Sequence, residues 1–192
     1  MKSTFYFGIT LFAAVLAAGF QPCFSQQAND VSYNNTGFYT GASLLGAGLN
    51  IDENSETDFG FGLGIKAGYN FNTHIGLFVS VDGSDIFPDD SDRYALTHFD
   101  VGVKGILRTN TDRVRPFGRA SFMAMAAVNE GLEITGEGPG LGAGVDVYTS
   151  ENVSFEFSYN HSWLKVKEST VGPVSESNAN TGRLMVGAVY HF

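Results

Sequence analysis

Strict alternation of apolar and small or polar residues is the clearest pattern in this chain. Between Phe59 and Phe71 every second residue is apolar or aromatic, and the residues between them are glycine, Lys66 or Asn70. A β-strand places successive side chains on opposite faces, so a period of two predicts a strand with one apolar face. A helix would need apolar residues three and four positions apart. We therefore predict a strand that ends at the tight turn 72–74.

Seven other segments show a similar alternation or a mixed apolar pattern of strand length. The first is 37–49, whose blurred period leaves open which of its residues face inward. Together with the strand at Phe59, they give eight predicted strands in a single all-β domain. The remaining strands are predicted at 75–82, 94–108, 116–128, 139–149, 153–160 and 181–192.

The predicted connections between these strands alternate in length. Short links at one end and long links at the other are typical of an up-and-down β-barrel that spans a membrane. An even number of strands then places both termini at the short-link end, which is the periplasmic end of such a barrel. The short links are 72–74, 109–115 and 150–152, and the longer ones lie near 50–58, 83–93, 129–137 and 165–180.

The two faces of the predicted strands differ in chemistry. One face is rich in Phe, Val, Leu and Tyr, and the other carries mainly Gly, Ser and Asn with charges of both signs. A soluble barrel of the lipocalin kind is the alternative, but its polar face would meet water and carry many Lys, Glu and Gln. The pattern therefore favours an all-β fold, an eight-stranded antiparallel up-and-down transmembrane β-barrel. Its closure leaves no unpaired backbone in the hydrocarbon.

Charged residues on the polar face are the main candidate for a functional site. Cations and anions are nearly balanced there, and an eight-stranded barrel has room for little more than its own side chains. Unpaired charges would cost several kcal/mol each, so we predict an ion-pair network that plugs the lumen. A small porin-like channel, opened by rearrangement of these charges, is the alternative. The predicted network consists of Lys66, Asp82, Asp100, Lys104, Arg108, Arg119, Asp146, Glu156 and Arg183.

The chain begins with the pattern of a secretory signal peptide. Lys2 precedes a nearly unbroken apolar run from Phe5 to Phe20, and Cys23 and Ser25 supply small residues at the −3 and −1 positions of a cleavage site. A transmembrane anchor is the alternative, but the run is short for a span of about 20 residues and polar residues follow it at once. We predict a signal peptide at 1–25, a short disordered lead-in at 26–36 and the barrel domain at 37–192.

Composition argues against several classes of function. The chain has 11 Lys and Arg against 20 Asp and Glu, and loss of Lys2 with the signal peptide leaves a net charge of −10. This balance argues against a nucleic-acid partner. Cys23 is the only cysteine, so the predicted mature chain has neither a disulfide nor a thiolate metal site. We predict no cofactor.

Two of the predicted longer links are strongly acidic. Clustered carboxylates attract divalent cations, but neither link has the fixed glycine and terminal glutamate of a calcium-binding loop. We therefore predict no metal site and interpret both links as solvated surface. The acidic residues are Asp52, Glu53, Glu56 and Asp58 in the first link and Asp85, Asp89, Asp90 and Asp92 in the second.

The last strand places five apolar residues on one face and ends on an aromatic ring. These residues are Leu184, Val186, Ala188, Tyr190 and Phe192. The pattern resembles the C-terminal assembly signal of bacterial outer-membrane β-barrels. The segment Arg115-Pro116-Phe117-Gly118 is similar to the opening of the fifth strand in one such family. With the signal peptide and the eight strands, the chain resembles the OmpA transmembrane domains and OmpX, a small OmpA/OmpX-like outer-membrane β-barrel family.

The resemblance implies a non-enzymatic protein in the outer membrane of a Gram-negative-type bacterium, with a structural or surface-interaction role. It also implies contact with outer-membrane lipid and lipopolysaccharide, and with the barrel-assembly machinery through the C-terminal strand. It does not identify a partner for the outer loops.

Lipid A-modifying enzymes also occur on small barrels, so the histidines need separate attention. Deacylases of this kind carry His and Ser two positions apart with a carboxylate nearby. Here His161 and Ser162 are adjacent and must point to opposite faces of their strand. His98 and His191 are predicted on the lumen side, and His74 lies in a turn. We therefore predict that the protein is not an enzyme.

Overall fold

The computed structural model describes residues 33, 36–51, 57–87, 94–109, 113–129, 132–169 and 175–192 of the chain. The predicted signal peptide and most of the predicted lead-in lie outside these residues. All eight secondary-structure elements of the described part are strands. They are β1 (Gly37–Ile51), β2 (Asp58–Asn70), β3 (Ile75–Phe87), β4 (Tyr94–Ile106), β5 (Val114–Asn129), β6 (Leu132–Tyr148), β7 (Val153–Ser169) and β8 (Ser175–His191).

The eight strands form a closed barrel in which each strand pairs with its neighbours in sequence. All pairs are antiparallel, and β8 closes the barrel by pairing with β1 from Tyr39↔His191 to Ile51↔Ala179. The final residue joins this closure because the Phe192 amide donates to the Phe38 carbonyl at 2.9 Å. The predicted fold, an eight-stranded antiparallel up-and-down barrel, is confirmed.

Two ends of the barrel are distinguished by the connections they hold. We call the end with Gly37, Phe192 and the connections 71–74, 107–113 and 149–152 the terminal end. The opposite end, where residues 52–57, 88–93, 130–131 and 170–174 connect the strands, is the distal end. No helix in the described residues is long and apolar enough to cross a membrane.

The outer surface of the barrel is apolar, as the alternation predicts. Phe61 is 76% exposed and Val101 is 50% exposed, whereas the neighbouring Asp100 is 3% exposed. The structure also settles the facing of β1. Tyr39 and Leu45 point into the lumen, and the even-numbered residues of this strand, such as Phe38 and Leu44, face outward.

The hairpins at the distal end are longer than predicted. The links predicted at 129–137 and 165–180 are mostly strand, since β5 and β6 pair up to Asn129↔Leu132 and β7 and β8 up to Glu168↔Ser175. Glycines and charged residues blur the alternation in these segments, but the ladder continues because backbone pairing does not depend on apolar side chains. The strands also extend into the links predicted near 50–58 and 83–93, so these links are shorter than predicted. Asp58 and Asp85 therefore lie on strands.

Candidate functional site: charged clusters in the barrel lumen

Five charged side chains form a cluster in the lumen near the terminal end. Glu156 is its centre, since its carboxylate contacts the ammonium of Lys66 and the guanidinium of Arg119. Lys104 Nζ lies 2.6 Å from Asp146 Oδ2 and 3.6 Å from Glu156 Oε2. We call these five residues the terminal cluster. They occupy the third to sixth positions of their strands, counted from the terminal end.

Aromatic rings contact two of the three cations of the terminal cluster, Lys104 and Arg119. Lys104 Nζ lies 4.0 Å from the centroid of the Phe117 ring, and the Arg119 guanidinium carbon lies 4.8 Å from it. Arg119 also lies over the Phe78 ring at 5.2 Å. Cations over aromatic faces are attracted by the ring quadrupole, most strongly where water is excluded. The rings therefore hold the cations in place without adding charge.

A second group of polar residues, the central cluster, lies farther from the terminal end. Arg183 Nη1 donates to Asp82 Oδ2 at 2.6 Å and to Asp100 Oδ2 at 2.7 Å, and its Nη2 donates to Asp100 Oδ1 at 2.9 Å. His98 Nδ1 lies 2.7 Å from Asp82 Oδ1. Ser121 Oγ donates to Asp100 Oδ1 at 3.3 Å. Two parallel bonds from one guanidinium to one carboxylate fix both groups more tightly than a single contact does.

The charges of the two clusters balance. Leaving His98 aside, the clusters contain four cationic and four anionic side chains. Their charged side chains are between 1% and 11% exposed. Burial of a charge is tolerated when a partner and further hydrogen bonds compensate it. The lumen meets this condition through ion pairs between residues that lie far apart in the sequence.

Arg108 is the exception among the nine predicted network residues. β4 ends at Ile106, and the Arg108 side chain is exposed in the connection that follows. The prediction that it belongs to the lumen network is wrong, because the strand parity was extended past the true end of the strand. The other eight predicted residues all lie in the two clusters.

An apolar layer fills the distal part of the lumen, and sequence analysis did not predict it. Its members include Ile86, Leu96 and Val166, each 0% exposed. They lie on the inward parity of strands whose inward residues in the middle of the barrel are mainly polar, such as Ser80, Asp100 and Ser158. The alternation therefore predicts a polar lumen along the full length of the barrel. The layer contains Leu45, Ala47, Leu49, Ile86, Leu96, Met123, Met125, Ala127, Ile134, Leu164, Val166, Ala179 and Met185.

Neighbouring rings, tilted by 32° and 36° against one another, form a ring stack that closes the terminal end of the lumen. The ring centroids of Tyr148 and His191 are 5.0 Å apart, and those of His191 and Tyr39 are 5.9 Å apart. The ring of Tyr33, which precedes β1, also contacts Tyr148, with the two centroids 5.4 Å apart. The Arg115 guanidinium lies 5.2 Å from the Tyr148 ring. The terminal mouth is therefore covered by rings rather than open to solvent.

The histidines take separate places. His161 is half-buried on the outer face between Tyr159 and Trp163, whereas Ser162 is buried in the lumen. His74 is exposed in the turn before β3. His191 does contact a serine, since Ser154 Oγ lies 3.1 Å from its Nε2. The described residues contain no group of three or more His, Cys, Asp or Glu side chains that fits a metal ion.

The five residues of the predicted C-terminal signal lie on the outer face of the barrel. Leu184 is 54% exposed and Phe192 is 64% exposed. Val186, Ala188 and Tyr190 are also exposed. This face of β8 is therefore continuous with the apolar band of the other strands.

Comparison with known families identifies the barrel. Residues 10–192 match the model of the outer membrane protein beta-barrel domain. The chain belongs to this family. An eight-stranded barrel of this family spans the outer membrane, so the apolar outer face meets lipid. The predicted location, the outer membrane of a Gram-negative-type bacterium, is confirmed.

Solved structures of other outer-membrane barrels share the fold. Neisserial surface protein A is 22% identical, with 82% of this chain and 98% of that chain aligned and a TM-score of 0.63. OprG from Pseudomonas aeruginosa is 12% identical over 85% and 100% of the chains, with a TM-score of 0.57. Ail, the attachment invasion locus protein of Yersinia pestis, is 17% identical over 82% and 100%, with a TM-score of 0.55. No curated protein matches the sequence.

Proposed function

We propose that this outer-membrane barrel is a non-enzymatic protein with a structural or surface-interaction role, whose lumen is plugged by its ion-pair network. The observation that carries the proposal is the position of Glu156. Its carboxylate lies among Lys66, Arg119 and Lys104, and its side chain is 4% exposed. A solvated channel needs space along its axis, and in this barrel paired side chains take that space.

Removing any member of such a network is unfavourable. The loss of one partner from a buried ion pair costs about 3 to 5 kcal/mol, because the remaining charge stays buried without compensation. A permeating ion would have to separate several of these pairs at once. Steady conduction is therefore not expected of the unmodified barrel.

The serine and histidine positions favour a role without catalysis. Ser154 and His191 form the one Ser–His contact among the described residues, and they are 0% and 3% exposed, with His191 itself part of the group of rings at the terminal end. No carboxylate of the described residues hydrogen-bonds to His191. A nucleophile needs an activated base and access for its substrate. This pair has neither an orienting acid nor an opening.

Surface exposure and membrane contact supply the partners that we propose. The long β5–β6 and β7–β8 hairpins carry the distal end beyond the shorter hairpins, which suits contact with a molecule outside the cell. The apolar outer face suits outer-membrane lipid and lipopolysaccharide. The exposed face of β8 that ends at Phe192 suits recognition by the barrel-assembly machinery.

Conductance of the purified protein in planar bilayers tests the plug. Folding is verified beforehand by heat-modifiable gel mobility, in which the unboiled barrel migrates differently from the boiled chain. We expect little or no steady conductance from the folded protein. Frequent, stable and ion-selective openings of the unmutated protein would contradict the plug and favour the porin-like alternative.

A further inference from the structure

A ring of apolar side chains crosses the lumen on the distal side of the central cluster. Seven of the eight strands contribute one residue each, and every one of these residues is 8% exposed or less. β2 contributes no apolar side chain, but a Cβ atom at Gly60 would lie only 2.7 Å from Ile86 Cδ1, so Ile86 covers that strand. We call this set the apolar ring. It consists of Leu49, Ile86, Leu96, Ala127, Ile134, Val166 and Ala179.

A hydrogen bond closes the ring on the side of β2. Tyr94 packs against the apolar layer, and its hydroxyl donates to Asp58 Oδ2 at 3.3 Å. Both residues lie at the thirteenth position of their strands from the terminal end. The inward side of all eight strands is therefore occupied near the distal end, either by an apolar residue or by this pair.

Most buried polar atoms of the described residues that have no hydrogen-bond partner lie at or below the ring, and Ser177 Oγ, at the fifteenth position of β8, lies on its distal side. Arg119 Nε and Asp146 Oδ1 in the terminal cluster have no hydrogen-bond partner among the described residues, nor do His98 Nε2 and Arg183 Nε in the central cluster. Buried polar atoms of this kind are usually satisfied by ordered water. The unpaired hydroxyls of Ser84, Ser162 and Thr181 lie at the tenth and eleventh positions, where the polar lumen meets the ring.

We infer that the apolar ring, rather than the ion-pair network, is the barrier to water and ions in this lumen. The inference rests on the proposed function, a barrel whose lumen does not conduct, and assigns the barrier to the apolar ring. Charged side chains attract water and rearrange with it, so an ion-pair layer alone is a leaky barrier. Narrow apolar segments expel water, and such constrictions close channels without a moving gate. The charged clusters then form a hydrated lower lumen that ends at the ring.

Conductance of two lumen variants separates the layers. The double variant Leu96→Ser with Val166→Ser places two hydroxyls in the ring, on β4 and β7. The double variant Lys104→Met with Asp146→Leu removes one cation and one anion together, so the lumen charge stays balanced. Val103→Ser with Leu141→Ser makes matched changes on the outer face, where these residues are 48% and 56% exposed. Gel mobility before and after boiling verifies that each variant is folded.

We expect the ring variant to change from closed to frequently open, while the cluster variant and the outer-face control stay closed. Openings in the cluster variant, or a folded ring variant that stays closed, would overturn the inference. The expected result would move the plug of the proposed function from the ion-pair network to the apolar ring and leave its non-conducting, non-enzymatic role in place. That role fails only if the unmutated protein conducts.

A measurement on the unmutated protein covers the case in which the ring variant does not fold. Nuclear Overhauser contacts with water, recorded in detergent micelles or nanodiscs, report which buried groups touch water. We expect them at Arg183 and Ser121 and their absence at the methyl groups of Leu96 and Val166. Water contacts of equal intensity at both levels would overturn the inference.

Discussion

Arg183 and Asp100 lie 83 residues apart in sequence, and their side chains form two parallel hydrogen bonds of 2.7 and 2.9 Å in the lumen. The same guanidinium also binds Asp82 at 2.6 Å, which joins β8 to β3 and β4 across the barrel. Strand pairing connects β3 to β4 but connects neither of them directly to β8. The central cluster therefore adds contacts across the barrel to the closed ring of backbone ladders.

Glu156→Ala tests the stabilising role of the terminal cluster. The substitution leaves Lys66, Lys104 and Arg119 without their shared anion, and we expect a loss of about 3 to 5 kcal/mol in the free energy of unfolding. Glu137→Ala on the neighbouring strand β6 is the matched control, because Glu137 is exposed. Urea unfolding from lipid vesicles measures both. Equal stability of the two variants would contradict a buried network centred on Glu156.

Two glycines of β4 provide a test of packing between strands. A Cβ atom at Gly102 would lie 2.8 Å from Ser121 Cα and 2.9 Å from Ser121 Cβ, whereas one at Gly105 has nothing within 4 Å. Gly102→Ala should therefore destabilise the barrel, because β5 must move. Gly105→Ala should be neutral or stabilising by up to about 1 kcal/mol, since glycine is unfavourable inside a strand. Similar unfolding curves for the two variants would contradict the close approach at Gly102.

Alternation made most of the fold predictable. The strict period at Phe59–Phe71 identified β2 and its facing, and the repetition of such segments gave the count of eight strands. The ends of the strands were harder to predict, because the hydrogen-bonded pairing continues through glycine and charged residues that weaken the alternation. β6, for example, begins at Leu132 and not at 139, where the alternation becomes regular.

Strand parity predicted which residues belong to the charged clusters, but it did not predict which of them pair with one another. Alternation shows that Asp82 and Arg183 both face inward, but it does not show how far each lies from the terminal end. Their contact depends on the stagger of the closed ladder, which β1 and β8 complete. The apolar layer was missed for a related reason. On its own strand, Leu96 is an apolar residue on a mainly polar inward face. Only the closed barrel shows that apolar residues of other strands lie beside it.

Accessibility of inserted tags tests the orientation of the barrel. A biotinylatable tag within residues 170–174, next to Ser175 at the start of β8, should be labelled on intact cells, since we place the distal end outside. A tag at Thr111, between β4 and β5, should be labelled only after the outer membrane is made permeable. Labelling of intact cells at Thr111 but not at 170–174 would reverse the orientation.

Val101 and Asp100 allow the central claim, an apolar face against lipid and a polar lumen, to be tested on one strand. Val101 lies near the middle of β4 on the outer face, and Asp100 is buried beside Arg183. Val101→Arg should cost about 2 to 4 kcal/mol by placing a charge against hydrocarbon. Asp100→Asn should also destabilise the barrel, but through loss of its pairing with Arg183 in the lumen.

Folding of the two variants into vesicles of two lipid lengths is the most direct measurement. We expect the cost of Val101→Arg to shrink in the thinner bilayer, where the guanidinium reaches the interface, and the cost of Asp100→Asn to stay the same. If Val101→Arg folds as readily as the unmutated protein in both bilayers, the apolar face does not meet lipid and the account is wrong.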